Sequence, residues 1–507
     1  MVVINRAAGI LLPVSSLPSP YGIGAMGQAA YDFVDFLHAA GQRYWQVLPI
    51  GPTGFGDSPY QSFSAFAGNP YFIDIDTLAG RGLLTPDEIK AGDASGDEKF
   101  VDYEKVYFKR FPLLKQAFAR FNPGNADFTA FCAAESSWLD EYADYMAIKE
   151  HFGQRDFQSW DDDIRLYKHE ALLHYRQLLT RERQFWQFCQ FEFFRQWSAL
   201  KSYANASGVL LIGDIPIYVS SDGADVWANR GLFQMDADGR PDFIAGVPPD
   251  YFSATGQRWG NPLYNWQAME ADGFGWWKRR ILACSKLFDV IRIDHFIGIA
   301  RYYSIASTCE TAVDGEWKQG PGEKLLAAIN EAVGDARIIA EDLGVLHPSV
   351  KELLAKSGYP GMKVLLFAAD GSEGNPHIPY GYDRNTTVYV GTHDNDTVAG
   401  FCKKHKLKDL RFFMDYFGAA GKQQLPTALI KGAFGSVADT AVVQLQDWLE
   451  LDNAARTNTP STIGTNWMWR VTREQLTQRL AKRIKSVTAL YGRMPPAAGV
   501  ESNPENP

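Results

Sequence analysis

The stretch DVIRIDHF (289–296) is a short β-branched run that ends in a carboxylate and an imidazole. Such a run suits a strand buried on both faces, as in a parallel sheet, rather than the alternating pattern of a sheet with one wet face. Working outward from it, seven more stretches share the pattern: GILLPVS (9–15), YWQVLPI (44–50), GVLLIGDIPI (208–217), ARIIAEDLG (336–344), GMKVLLF (361–367), TTVYVGTHD (386–394) and AVVQLQDWL (441–449). Helical patterns such as GEKLLAAINEAVG (322–334) and HPSVKELLAKSG (347–358) lie between them. Alternation of this kind means βα units. Eight candidate strands predict an α/β fold, a (β/α)8 TIM barrel, with an open doubly wound sheet as the alternative. No G-x-G-x-x-G follows any of the runs, so nothing marks a dinucleotide site, and no cofactor is expected.

The spacing of the runs is uneven, which predicts insertions. The 507 residues read as one barrel domain over 1–493 with a helical insertion at about 76–207 and a second insertion at about 219–280. LTPDEIKAG (84–92) carries a capping box, with Thr85 as N-cap, Pro86 in the first turn and Glu88 three residues after the cap. The second insertion contains RPDFIAGVPPDYFSATGQRWGNPLYNWQAM (240–269); its Gly, Pro and aromatic content predicts loop rather than core. Long loops in a barrel are usually functional. The tail MPPAAGVESNPENP (494–507) is expected to be frayed.

Composition removes several function classes. With 46% hydrophobic and 21% charged residues the chain can bury a sizeable core, and it is not a disordered protein. A formal net charge of −9 lacks the basic footprint that a nucleic acid or an anionic membrane requires. No apolar run reaches 18 residues and no signal peptide is visible, so the cytoplasm is the expected location. The five cysteines are scattered and form no C-x-x-C pair, which fits reduced thiols rather than a zinc site. Aromatics reach 14%, enough to supply flat ligand faces as well as core.

In a parallel barrel the active site forms at the C-terminal strand ends. The acids there are Asp214, Asp294, Glu341 and Asp394. One such acid alone is ordinarily a helix cap or half of a surface ion pair; four at the ends of apolar runs are expected to converge on one mouth. Arg292 and Asp294 are two apart and share a strand face, and a guanidinium there favours the ionised carboxylate that a nucleophile requires. A plain buried ion pair is the competing reading. Glu341 and Asp342 point opposite ways, and Glu341, after the apolar run, is the one expected at the mouth, where a raised pKa suits a general acid. Asp396 reads as a loop or cap residue beside Asp394. A nucleophilic Asp with a raised-pKa Glu is the arrangement of a retaining glycosidase. Converging acids also suit magnesium, but Arg292 at the same place repels a cation, so no metal is expected.

At this point GDIPIYV (213–219), DVIRIDHF, IIAEDLG (338–344) and VGTHDNDT (390–397) resemble the motifs of the 4-α-glucanotransferases, the amylomaltases or disproportionating enzymes of glycoside hydrolase family 77. SPYQSFSAFAGNPYFIDID (58–76), FSATGQRWGNPLYNW (252–266) and TNWMWR (465–470) extend the likeness from about residue 8 to 490. The resemblance implies Asp294 as nucleophile, Glu341 as general acid/base and Asp394 as the acid that stabilises the transition state. It implies substrate contacts from Tyr60, Asp214, Arg292, His295, His393, Trp259 and Asp370, the last on the acceptor side. It further implies a barrel like that of the α-amylases without their C-terminal β-sandwich, and α-1,4-glucans and malto-oligosaccharides as donor and acceptor with no obligatory protein partner. Two other functions remain at this point: an α-1,4-glucan hydrolase of the α-amylase type, using the same acids with water as acceptor, and a non-catalytic glucan-binding scaffold, which has no use for the acid set.

Overall fold

The protein is described by a computed structural model over residues 6–249, 253–344 and 347–496. Eight parallel strands form one sheet: β1 (Ala7–Leu11), β2 (Tyr44–Gln46), β3 (Leu210–Pro216), β4 (Val290–Asp294), β5 (Arg337–Ala340), β6 (Gly361–Val364), β7 (Thr386–Tyr389) and β8 (Thr440–Gln444). All eight predicted runs are strands, in the predicted order. β8 pairs with β1, so the ladder runs unbroken from β6 through β7, β8, β1, β2, β3 and β4 to β5. The ring is completed by two links rather than a ladder. Ala340 N–H donates to Pro360 O at 3.0 Å, and Met362 N–H donates to the Asp342 carboxylate at 2.7 Å. Gly361 is required at this join, because a Cβ there would come within 2.9 Å of the Asp342 oxygens. The fold is the (β/α)8 barrel.

Helices Gln28–Ala39, Thr180–Ala206, Gly275–Leu287, Glu323–Ala332, Pro348–Ser357, Leu425–Gly435 and Gln478–Leu490 separate or follow the strands. One unit departs from the pattern: β6 and β7 are joined by short 3-10 turns and no α-helix. The connecting sequence GSEGNPHIPYGYDRN (371–385) explains this, since its glycines and prolines forbid a continued helix. After β8 the described residues form the short helix Leu445–Trp448, 3-10 turns and the helix Gln478–Leu490, with no second sheet domain among them.

The chain between β2 and β3 is helical, with the Thr85–Glu88 capping box in place. Its 27-residue helix Thr180–Ala206 buries Phe185, Trp186, Phe188, Phe191, Phe193 and Trp197. A helix apolar on so many sides must be covered all round. It also reaches the loop after β2, where the Gln190 amide pairs with both the N–H (2.7 Å) and C=O (2.9 Å) of Gly68. That clamp holds the loop after β2, which carries Tyr60.

The stretch 219–280 corrects the expectation of loop rather than core. Strands Phe243–Val247 and Gln257–Pro262 join Arg301–Ala306 and Glu316–Gln319 in a four-stranded antiparallel side sheet. Trp227, Phe233, Tyr264, Trp276 and Trp277 are buried, and the Tyr264 hydroxyl donates to Ile217 O at 2.7 Å. Gly and Pro hide these strands locally, and the partner strand Arg301–Ala306 lies beyond β4, outside any sequence window.

Arg493 seals the N-terminal end of the barrel. It is fully buried and donates to five backbone carbonyls, those of Ala7, Phe434, Ser436, Ala438 and Asp439, at 2.8–3.2 Å. Of the tail expected to fray from 494, residues 497–507 lie outside the described residues. Replacing Arg493 with Met strands several buried carbonyls. The expected loss is about 3 kcal/mol or more, read as a lowered urea midpoint; an unchanged midpoint contradicts this account.

Candidate active site

The strand ends open into a cleft of about 600 Å3. Asp294 enters it from the end of β4, Glu341 from the residue after β5, and His393 and Asp394 from the loop after β7. Tyr60 from the loop after β2 and Trp259 from the side sheet line it as well.

Beneath Asp294 lies an ion triad. The Arg292 Nη1 is 2.6 and 2.7 Å from the two oxygens of Asp214 and 2.9 Å from Asp294 Oδ1. Its Nε–H points to the Met362 sulfur at 3.3 Å. Strand register creates the triad: Asp214 pairs with Arg292 across β3 and β4, and the two-residue repeat puts Arg292 and Asp294 on one face. Gly213 permits the packing on the other face, where a Cβ would strike the Phe288 ring. Burial pushes the Asp214 carboxyl up, and the Arg292 guanidinium opposes that rise.

Asp214 corrects one expectation. It does not line the cleft; its side chain has no exposed surface, because it sits two residues before the end of β3. It acts on the cleft through Arg292 and through Tyr60, whose hydroxyl donates to Asp214 Oδ2 at 2.8 Å.

Glu341 has the contrasting environment. Its Oε2 accepts from His295 N–H at 2.7 Å and its Oε1 from Leu343 N–H at 2.9 Å. Burial first, and the charge of Asp294 second, push its carboxyl up to about 8. The backbone bends to reach it: His295 has φ 51°, a left-handed conformation costing a non-glycine residue about 1–3 kcal/mol. Asp342, on the opposite face, serves the barrel closure instead.

The two imidazoles make different contacts. Burial lowers the His295 pKa to about 4, so the ring is neutral at neutral pH. It meets Trp259 edge-on at 4.8 Å, and its buried Nε2, at the cleft wall, has no protein partner. His393 stacks on the Tyr60 ring at 5.2 Å, with Nε2 3.3 Å from Asp394 Oδ1.

Asp394 is the most open of the acids, with 44% of its side chain exposed. Asn458 holds it, donating from Nδ2 to Oδ1 at 2.6 Å. Asp396 is turned away into contacts with Arg456, Asn453 and Lys404, as a loop residue should be. Asp370 stands apart from these residues. It is exposed and not among the residues of the cleft; its carboxylate accepts from Ser372 N–H, Ser372 Oγ and Asn375 Nδ2 in a local turn.

Several cleft residues were not anticipated: Asn458, Trp467, Phe55 and Ile463. Phe55 and Ile463 are apolar yet 76% and 66% exposed. The signal was present in RTNTPSTIGTNW (456–467), a polar Gly/Pro loop following a barrel strand, where barrel enzymes build their sites.

A barrel whose strand ends bring three acids into one aromatic-walled cleft defines a glycoside-processing enzyme. The 4-alpha-glucanotransferase family model of glycoside hydrolase family 77 matches residues 12–477, and the chain belongs to that family. A 4-alpha-glucanotransferase of Streptococcus pneumoniae is 46% identical over 97% of this chain and 98% of its own length. One from Thermus thermophilus is 44% identical over 97% and 100%. The solved amylomaltase of Streptococcus agalactiae, in complex with acarbose, is 40% identical and superimposes with a TM-score of 0.93 over 96% of this chain and 100% of that one.

Glu341 also ties stability to pH. Its folded pKa of about 8 lies above the roughly 4.3 of an unfolded Glu, so its stabilising contribution is full below the unfolded value and is lost as pH rises through the folded one. Glu341→Gln is therefore expected to gain in Tm over wild type between about pH 4.5 and 8 and to hold that gain above. A Tm difference independent of pH contradicts the assignment.

Proposed function

We propose that the enzyme moves α-1,4-glucan segments between malto-oligosaccharides by double displacement through a covalent glucosyl–Asp294 intermediate. One observation carries the roles: Asp294 and Glu341 share a cleft but lie in opposed environments, one against a guanidinium and the other buried with its carboxyl at about 8. A carboxylate held against a guanidinium and a carboxyl whose ionisation burial opposes supply a nucleophile and a proton donor in one cleft.

In the first step the Glu341 proton passes to the glycosidic oxygen while an Asp294 oxygen attacks the anomeric carbon. The bond to the leaving chain breaks, and that chain departs with a free 4-hydroxyl. In the second step an acceptor's 4-hydroxyl gives its proton to Glu341 and its oxygen displaces Asp294, which regains its charge. Asp394 holds sugar hydroxyls so as to favour the flattened ring of the transition state. The unpartnered Nε2 of His295, with His393 beside Asp394, offers further hydroxyl contacts, and Tyr60 a stacking face. Asp214 and Arg292 orient the nucleophile from below. The scheme requires no cofactor.

Acceptor sugar must outcompete water. Apolar Phe55 and Ile463 line the cleft from different loops, and Trp259 and Trp467 line it further. Such a rim favours a sugar face over solvent. The relatives' names, transferases in each case, favour this reading over hydrolysis, and acarbose in the S. agalactiae amylomaltase supports malto-oligosaccharide ligands. No helix among the described residues is long and apolar enough to cross a membrane. The five cysteines are all free, which supports a reducing compartment, the cytoplasm.

Maltotriose is the test substrate. The expected product is glucose plus a ladder of longer glucans with little gain in reducing ends; a steady rise in reducing ends supports hydrolysis instead. Asp294→Asn and Glu341→Gln should each cut transfer by about 10^3-fold or more. Retention of near wild-type activity by either sinks the assignment. The wild-type kcat/KM should fall as pH rises through about 8, where Glu341 loses its proton.

A further inference from the structure

We propose that Arg456 is a positioning residue for the reaction: it fixes Asp394 and Asn458 by bolting the loop after β7 to the loop after β8. The inference rests on the reading of Asp394 given above. Arg456 is not among the residues of the cleft, so it acts through others.

Its guanidinium is used on every edge. Nη2 donates to the backbone carbonyl of Asp394 at 2.5 Å, and Nε donates to the backbone carbonyl of Asn458 at 2.7 Å. Nη1 pairs with the Asp396 carboxylate. The two residues whose carbonyls it holds are the two that meet in the cleft, through Asn458 Nδ2 and Asp394 Oδ1 at 2.6 Å. Asn458 N–H returns to the neighbouring His393 carbonyl at 3.1 Å. A ring of contacts thus encloses the Asp394 backbone, and its cation sits behind the acid rather than against the acid's oxygens.

The pair is largely shielded, with 17% of the Arg456 side chain and 9% of the Asp396 side chain exposed, so solvent screens it less than a surface pair. Asp396 gains a role here: it is the counter-charge that keeps Arg456 in place. Asn453 supports the same corner, donating to Asp396 at 3.0 Å and accepting from Thr397 N–H at 3.1 Å. Lysine cannot replace this arginine. A single ammonium centre does not span two carbonyls and a carboxylate in a fixed plane.

The test compares Arg456→Ala, Arg456→Lys and Asn458→Ala with wild type on maltotriose. Arg456→Ala is expected to lose about 10^2 in kcat with KM changed less than about 3-fold, the signature of misplaced chemistry rather than lost binding. Guanidinium ion, against an equal concentration of sodium chloride, should restore about 10-fold of that loss in Arg456→Ala and leave wild type unchanged. Arg456→Lys, which keeps the charge opposite Asp396 and guards against misfolding of the alanine variant, should fall between the two. Because the side chains act on one group, adding Asn458→Ala to Arg456→Ala should cost less than about 3-fold more. A kcat for Arg456→Ala within about 3-fold of wild type, or a loss that guanidinium does not relieve, overturns the proposal. Asp394→Asn separates the two readings: if it is inactive while Arg456→Ala is near normal, only the Arg456 proposal fails; if Asp394→Asn is itself active, the role of Asp394 fails first.

Discussion

A single guanidinium buried inside a ring of strands is the constraint on which the mouth of this barrel depends. Arg292 lies between Asp214 and Asp294, with only 5% of its side chain exposed. A charge removed from water at this depth is tolerable only when paired, and loss of either partner leaves an uncompensated ion. Three features follow. Asp294 is held at the strand end in one orientation. Tyr60 is brought to the same place through its hydrogen bond to Oδ2 of Asp214. Glu341, with burial already against its ionisation, feels the charge of the Asp294 held there and keeps its proton to a higher pH, although Arg292 itself opposes that rise.

The parts added to the barrel serve that mouth. The helix Thr180–Ala206 is mostly core, yet its Gln190 grips the backbone of Gly68 and steadies the loop that ends in the Tyr60 wall. The side sheet carries Trp259 against His295. The loop after β8 supplies Asn458 and, through Arg456, a hold on the loop before it. The side sheet and the loop after β8 carry side chains into the cleft, and the helix steadies a loop that does so, so chemistry placed on loops is still held by rigid elements.

Sequence reading reached the barrel because parallel strands buried on both faces leave contiguous apolar runs, and eight such runs survive even the very short β2 (Tyr44–Gln46). It reached Glu341 over Asp342 because strand alternation admits only one of two neighbours to the mouth. Depth is where it failed. Asp214 and Asp294 both stand near strand ends, but two residues of offset put one beneath the cleft and the other in it. Asp370 carries no local mark that separates a turn acid from a ligand acid; only its contacts with Ser372 and Asn375 do so. The side-sheet strands were illegible because Gly and Pro break their pattern and Phe243–Val247 finds its second partner only after β4. Asn458 and Arg456 were missed because their function is a relation between two loops, which no single stretch contains.

The pairing of β1 with β8 joins Ala7 to Thr440 and Leu11 to Gln444, and β1 cannot complete its ladder before nearly the whole barrel has been synthesised. On the ribosome β1 therefore emerges as an edge strand of hydrogen-bonding groups with one neighbour missing, and the closing contact is the one with the largest loop-closure entropy. An unsatisfied edge of that kind invites pairing with other nascent chains. The same circular sheet that leaves the finished enzyme almost no edge thus concentrates its aggregation hazard in the interval before the last strand arrives.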